Sequence, residues 1–181
     1  MNDSVMPQRG EAIVVYRDQV PESYWQPVPA NGWSEVHVRP EKSGRRTLSM
    51  GIQVIAPGCF IREHWHDQNE EVLHFLKGTG TAYIDEVPHP IRPGTTIYLG
   101  PWRKHRFVNE GPDEMHMLWV LTPPGLENFF AGIGRPRQPG EPAPEPFARP
   151  ENVAEIERKT VFAGLDGAES EQKAGIPEKR G

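Results

Sequence analysis

The stretch Gly58–Gly78, GCFIREHWHDQNEEVLHFLKG, decides the fold. It carries His64 and His66 with one residue between them, then Glu71. Side chains two residues apart on a strand share a face, so a strand here aims both imidazoles at one spot. Asp67-Gln68-Asn69 is a run of turn-forming residues. The strand-like run after it brings Glu71 back beside the histidines. A second stretch, GTTIYLGPWRKHRFVN from Gly94 to Asn109, contains His105. Three imidazoles and one carboxylate meeting in a small β-fold make a metal site.

Outward from this stretch, short apolar runs recur between turn signals. Cys59–His66, Glu71–Lys77, Gly80–Asp85, Thr95–Leu99, His105–Asn109 and Met115–Leu121 read as strands. The breaks are Gly78, Pro88-His89-Pro90, Pro93-Gly94, Gly100-Pro101 and Gly111-Pro112. That spacing, with no helical period across it, predicts an all-β sandwich or barrel. Upstream, Ala12–Arg17, Trp33–Val38 and Thr47–Ile55 also read as strands. Pro21–Trp33 is expected to be an irregular arm whose Trp25 and Trp33 cover apolar surface, and Glu41–Arg46 a charged loop. Downstream, Leu126–Ile133 has helical spacing, Arg135–Pro150 has the prolines of an extended loop, and the run from Arg149 to Phe162 opens with a helix signal. The expected organisation is an N-terminal arm with strands over 1–40, a barrel over 41–125, and a helical and extended segment packing on it over 126–163. A polar tail, 164–181, is expected to be disordered.

Composition narrows the function classes. The chain has 181 residues, 36% hydrophobic and 25% charged, which suits a globular protein. No run approaches the roughly 18 apolar residues of a spanning helix, so no membrane association is expected. The N-terminus lacks the apolar core of a signal peptide. Net charge is −5, with no basic block, which argues against nucleic acid as a partner. Cys59 is the sole cysteine, so no intrachain disulfide forms, and a reducing cytoplasm is the expected location.

The framework around the ligand candidates resembles the two signature motifs of the cupin superfamily. Gly58, His64, His66, Glu71 and Gly78 fill the first, Gly-x5-His-x-His-x4-Glu-x6-Gly. Gly94, His105 and Asn109 fit the second, Gly-x5-Pro-x-Gly-x2-His-x3-Asn, whose Pro and Gly positions here hold Gly100 and Trp102. The resemblance covers residues 47–125 and implies a conserved jelly-roll barrel with His64, His66, Glu71 and His105 as metal ligands. Glu70 is the rival carboxylate, one residue away and on the opposite face of a strand; the spacing to Gly78 favours Glu71. The implied cofactor is a divalent metal ion, Fe(II) first, with Zn, Mn, Ni or Cu also suited to the donors. A divalent ion there leaves a net charge of about +1 and up to two open positions, which favours a small-molecule substrate that binds as an anion.

The turn LTPPGLENFF after Trp119 resembles a quercetinase-like group of bacterial cupins. That resemblance implies a dioxygenase cleaving a carbon–carbon bond of a small phenolic, enolisable ketone or diketone substrate. Glu71 would be a ligand that can also accept a proton. A non-oxidative metal-dependent lyase, isomerase or decarboxylase is the alternative, and a non-catalytic ligand-binding cupin a third. By analogy the chain is expected to be a homodimer. Ile52, Val54, Phe60, Phe75, Tyr83, Phe107, Met117 and Trp119 are the candidate pocket lining. Arg62 and Arg106 are possible contacts to an anion. His74 is expected to face away from the ligands, while His116 is open to either face.

Overall fold

The computed structural model describes residues 11–43 and 47–160. The N-terminal ten residues, part of the charged loop and the tail expected to be disordered lie outside the described residues. The strands are β1 (Glu22–Trp25), β2 (Trp33–Val38), β3 (Ser49–Ile55), β4 (Phe60–His64), β5 (Glu70–Lys77), β6 (Gly80–Ile84), β7 (Val87–Ile91), β8 (Thr96–Leu99), β9 (His105–Val108), β10 (Met115–Thr122) and β11 (Arg135–Pro136). Among the described residues three short helices accompany them: α1 (Pro40–Ser43), α2 (Leu126–Ile133) and α3 (Val153–Lys159). The chain is all-β with short helices, as expected.

Two antiparallel sheets enclose the interior. One runs β11-β1-β2-β3-β10-β5-β8 and the other β4-β9-β6-β7. Strand alternation fills the space between them. On β10, Met115, Met117, Trp119 and Leu121 point inward; on β5, Glu71, Leu73 and Phe75 do; on β9, His105 and Phe107 do. The inward rows are apolar except at Glu71 and His105, where a polar ligand candidate takes an apolar residue's place. At Gly78 the chain leaves β5 with φ +85°, and a Cβ there would lie 2.6 Å from Met115 Cα. Only glycine fits both demands.

The amphipathic α2 closes the sandwich on one side. Leu126, Phe129, Phe130 and Ile133 join the core, and Phe130 packs on Trp119 at a ring separation of 5.6 Å. Val153 and Ile156 of α3 pack on the same cluster.

Four sequence expectations are corrected. Ala12–Arg17 forms no strand, and Val14 and Tyr16 are exposed there; an apolar alternation without a partner edge gains no ladder bonds. The arm Pro21–Trp33 contains β1, which pairs with β2. A short helix, α1, begins the segment expected to be a loop. Pro88-His89-Pro90, taken as a break, lies inside β7. It is tolerated because β7 is the outer strand of its sheet, where a missing N–H faces no neighbour.

Candidate metal centre

His64 and His105 are direct cross-strand partners of β4 and β9, so they share a face. His66 lies just past β4, and Glu71 is the second residue of β5. The loop between is tied down from two sides. Trp102 N–H donates to His66 O at 2.8 Å, and the Asn69 side-chain amide donates to Pro123 O at 2.6 Å. The ligand nitrogens of His64, His66 and His105 all lie within 4.8 Å of one another. Glu71 Oε2 stands 3.5 Å from His66 Nε2 and 3.4 Å from His105 Nε2. All four side chains are buried. Glu70, on the other face, is exposed.

The tautomers are set by neighbouring carbonyls. His64 Nδ1 lies 2.9 Å from Arg62 O and His105 Nδ1 lies 2.8 Å from Arg103 O. Each Nδ1 therefore carries the proton and donates it, leaving Nε2 as a lone-pair donor toward the common point. The backbone behind His105 is itself anchored. Lys104 N–H donates to Asp85 Oδ1 at 3.1 Å, and the Arg103 guanidinium bonds the same carboxylate.

These residues fit a divalent metal ion. Glu71 Oε2 and His105 Nε2 are buried without a hydrogen bond. Their 3.4 Å approach counts as ion-pair proximity, but its direction does not make a bond. Two such orphans facing each other are costly unless something between them binds both. His64, His66, Glu71 and His105 would hold that ion.

Electrostatics match this reading. Burial, reinforced by the neighbouring His105 and His66, pushes the His64 imidazole well below its usual range, so it is neutral at pH 7. Burial alone would raise Glu71, but His105 and His66 outweigh it and hold the carboxyl well below the usual carboxylate range. The site is thus preset with a neutral imidazole at His64 and an ionised carboxylate, the forms a metal requires.

A cavity of about 40 Å³ opens beside His64 and Glu71. Of the candidate lining, Phe60, Phe107 and Met117 border it. Phe75 and Trp119 are in the core but do not reach it. Ile52, Val54 and Tyr83 do not line it, because their parity turns them outward. Val54 is buried beneath Trp33 and His116, and Tyr83 stacks against Arg106 at 3.8 Å. His116 faces that outer side too, with Nε2 3.0 Å from Glu114, and His74 bonds Thr96 Oγ1 at 2.8 Å. Sequence reasoning missed Gln53 and Leu73, and the cover from α2 together with Arg149. Gln53 and Leu73 share the inward parity of Met117 and Glu71, a signal that was there to be used; the cover depends on long-range packing.

Comparison with known proteins decides the family. Residues 51–121 match the cupin domain. That segment of the chain is a cupin domain. This cupin is 34% identical over 84 residues to protein SchB of Streptomyces halstedii, covering 46% of this chain and 61% of that protein. It is 35% identical over 82 residues to the dimethylsulfoniopropionate lyase DddW of Ruegeria pomeroyi, covering 45% of this chain and 53% of that protein. The cupin thus spans little more than half the length of these relatives. A crystal structure of a predicted oxalate decarboxylase from Thermotoga maritima superposes with a TM-score of 0.51 at 20% identity, covering 60% of this chain and 98% of that one. That likeness concerns the fold.

Proposed function

We propose that this cupin is a metalloenzyme whose substrate is a small enolisable ketone, diketone or phenol bound as its anion, and that it cleaves a carbon–carbon bond using dioxygen. The observation that supports the reading is the cluster of three buried imidazoles beside a cavity, with Glu71 Oε2 3.4 Å from His105 Nε2 and both atoms lacking hydrogen bonds. A divalent ion, Fe(II) in this proposal, supplies Lewis acidity toward a substrate oxygen and access to oxygen chemistry. The protein's own groups do the rest. Glu71, ionised and buried, accepts the proton that enolisation releases. Leu73, Phe107 and Met117 exclude water and make every charge interaction stronger. Gln53 offers a neutral amide toward the same space.

The test is oxygen uptake after anaerobic loading with Fe(II), using acetylacetone and a 2-hydroxyaryl ketone. Uptake in step with substrate loss supports the proposal; none with either substrate counts against it. The similarity to DddW, a lyase by name, favours a non-oxidative lyase as the second reading. Product formed with Zn(II) or Mn(II) in the absence of oxygen selects it. A homodimer belongs to the same proposal. The outer face of β5 and β8 leaves Val72, Leu76 and Tyr98 exposed, and sedimentation equilibrium reads the mass.

A further inference from the structure

Two glutamines line the cavity that His64 and Glu71 border, Gln53 of β3 and Gln26 just past β1. Gln53 lies directly opposite Ser34 of β2, so both point inward. Gln26 is 3% exposed, and its Nε2 donates to Ser34 Oγ at 2.9 Å. Among the described residues the Gln53 amide has no hydrogen-bond partner, and neither has Gln26 Oε1. The other polar residues of the wall are engaged. Arg149 Nη1 donates to Glu157 Oε1 of α3 at 2.9 Å, and the Arg62 guanidinium pairs with the same oxygen. His64 and Glu71 belong to the ligand cluster.

Register places the glutamines away from that cluster. Gln53 lies opposite Met117 and Glu71 opposite Leu121, with β10 between their two strands. At about 3.3 Å per residue and 4.8 Å per strand, their Cα atoms stand roughly 16 Å apart across the sheet. Leu73 and Met117 fall between them on the same inner face. The cavity therefore has a charged end, an apolar middle and a neutral polar end. An amide buried as deeply as that of Gln26 is costly where a polar atom stays unpaired, and an apolar residue would pack this end without that cost.

We propose that Gln26 and Gln53 form a neutral subsite for a hydroxyl of the substrate. Gln26 Oε1 accepts and the Gln53 amide can donate, and a hydroxyl does both. A carboxylate would set Gln26 Oε1 against another acceptor. This rests on the enzymatic reading above and narrows its substrate to a two-ended molecule, with an anionic oxygen toward the ligand cluster and a neutral hydroxyl at the far end. The cavity is narrow, about 40 Å³, so a flat molecule suits it and the half-buried Phe60 and Ile61 on its wall shift to admit one.

The probes are 4-methylcatechol and 4-(hydroxymethyl)catechol, which share their metal-binding oxygens and differ by one hydroxyl across the ring. Each is titrated calorimetrically into the full chain loaded with Zn(II). The natural chain is expected to bind the hydroxymethyl compound about tenfold tighter, because a methyl in that place leaves the amides unpaired. Q53M, which keeps the length and loses the amide, is expected to bring the ratio to about two or below, and Q26M to lower it in the same direction. Equal affinity for the two probes in the natural chain overturns the proposal with no variant needed. A preference that Q53M leaves intact overturns it as well; if Q53M does not fold, Q53L takes its place. A Zn(II)-loaded chain that binds neither probe overturns this proposal and the enzymatic reading together. Failure to take up one Zn(II) per chain counts against the metal centre, and the hydroxyl preference must then persist in the metal-free chain or the subsite falls too.

Discussion

The ligand cluster and the cover over it are built by opposite means. His64 and His105 face each other on β4 and β9 of one sheet and Glu71 stands on β5 of the other, where register and parity fix each direction, and carbonyls two residues back orient His64 and His105. The cover consists of α2, α3 and the extended segment between them. Apolar packing, the Glu157 pairs and a few hydrogen bonds, among them Val28 N–H to Phe147 O and Arg137 N–H to Ser23 O, hold it in place, with a sheet ladder only at the two residues of β11. A cluster built on ladders stays in place when its metal leaves. The cover meets the barrel mostly through side chains, with far fewer main-chain bonds than join the strands beneath. On the proposed reading, the ladders hold the ligand candidates and the cover decides what reaches them.

Substitutions should divide along that line. The largest effect is expected at the ligands. H105A should cut Zn(II) affinity at least about 100-fold, beyond the 10–100-fold typical of losing an outer partner, with far-ultraviolet dichroism unchanged. If metal uptake survives, the four side chains do not share an ion. Next comes the cover. Phe130 is fully buried against Trp119 and Phe129, so F130A should cost about 3–5 kcal/mol in urea unfolding while Zn(II) stoichiometry stays at one per chain. Loss of metal together with stability would mean that the two regions are one cooperative unit.

Acid should act on the ligand side. In the folded chain His64 titrates well below the 6.5 of a free imidazole, through burial and its neighbouring histidines. Between those two values the unfolded chain binds a proton that the folded chain refuses, so acid favours unfolding. The contribution is complete above pH 6.5 and drains away as pH falls. Glu71 adds a second loss beginning near 4.5, since its carboxyl is also depressed in the fold. The urea midpoint of chelated protein should therefore drop from pH 7 to pH 5, and H64A should flatten that drop. An unchanged slope in H64A would place the acid sensitivity elsewhere.

The same division governs what could be read from the sequence. The clustering of the ligand candidates was legible because it is local: His-x-His is two residues on one face, and Glu71 against Glu70 is a matter of parity. Strand spacing and turn residues gave most strands to within a residue or two. Parity also misled. Ile52 and Val54 were placed on the pocket face, but the pairing of β3 with β10 puts Gly51, Gln53 and Ile55 inward. Near Arg62 a bulge breaks the alternation, so Phe60, Ile61 and Arg62 all border the cavity. No glycine marks it. Arg62, Arg149 and Glu157 lie far apart in sequence, and three charged residues carry no local sign that they will meet inside.

The smallest effect tests the one place where the motif departs from its pattern. Trp102 stands where the second motif has glycine, and its φ is +66° with the residue 64% exposed. A left-handed conformation costs an ordinary residue about 1–2 kcal/mol, and glycine almost nothing. Against this, glycine loosens the unfolded chain by about 0.4–1 kcal/mol. W102G should therefore raise stability by about 0.5–1 kcal/mol, a rise of a few degrees at most in the thermal midpoint. Zn(II) affinity should not move, because the contact from this turn to the ligand loop is the backbone N–H of residue 102 to His66 O, which glycine retains. A fall in either quantity would show that the exposed indole itself supports the ligand side, and that the strained turn is kept for its ring.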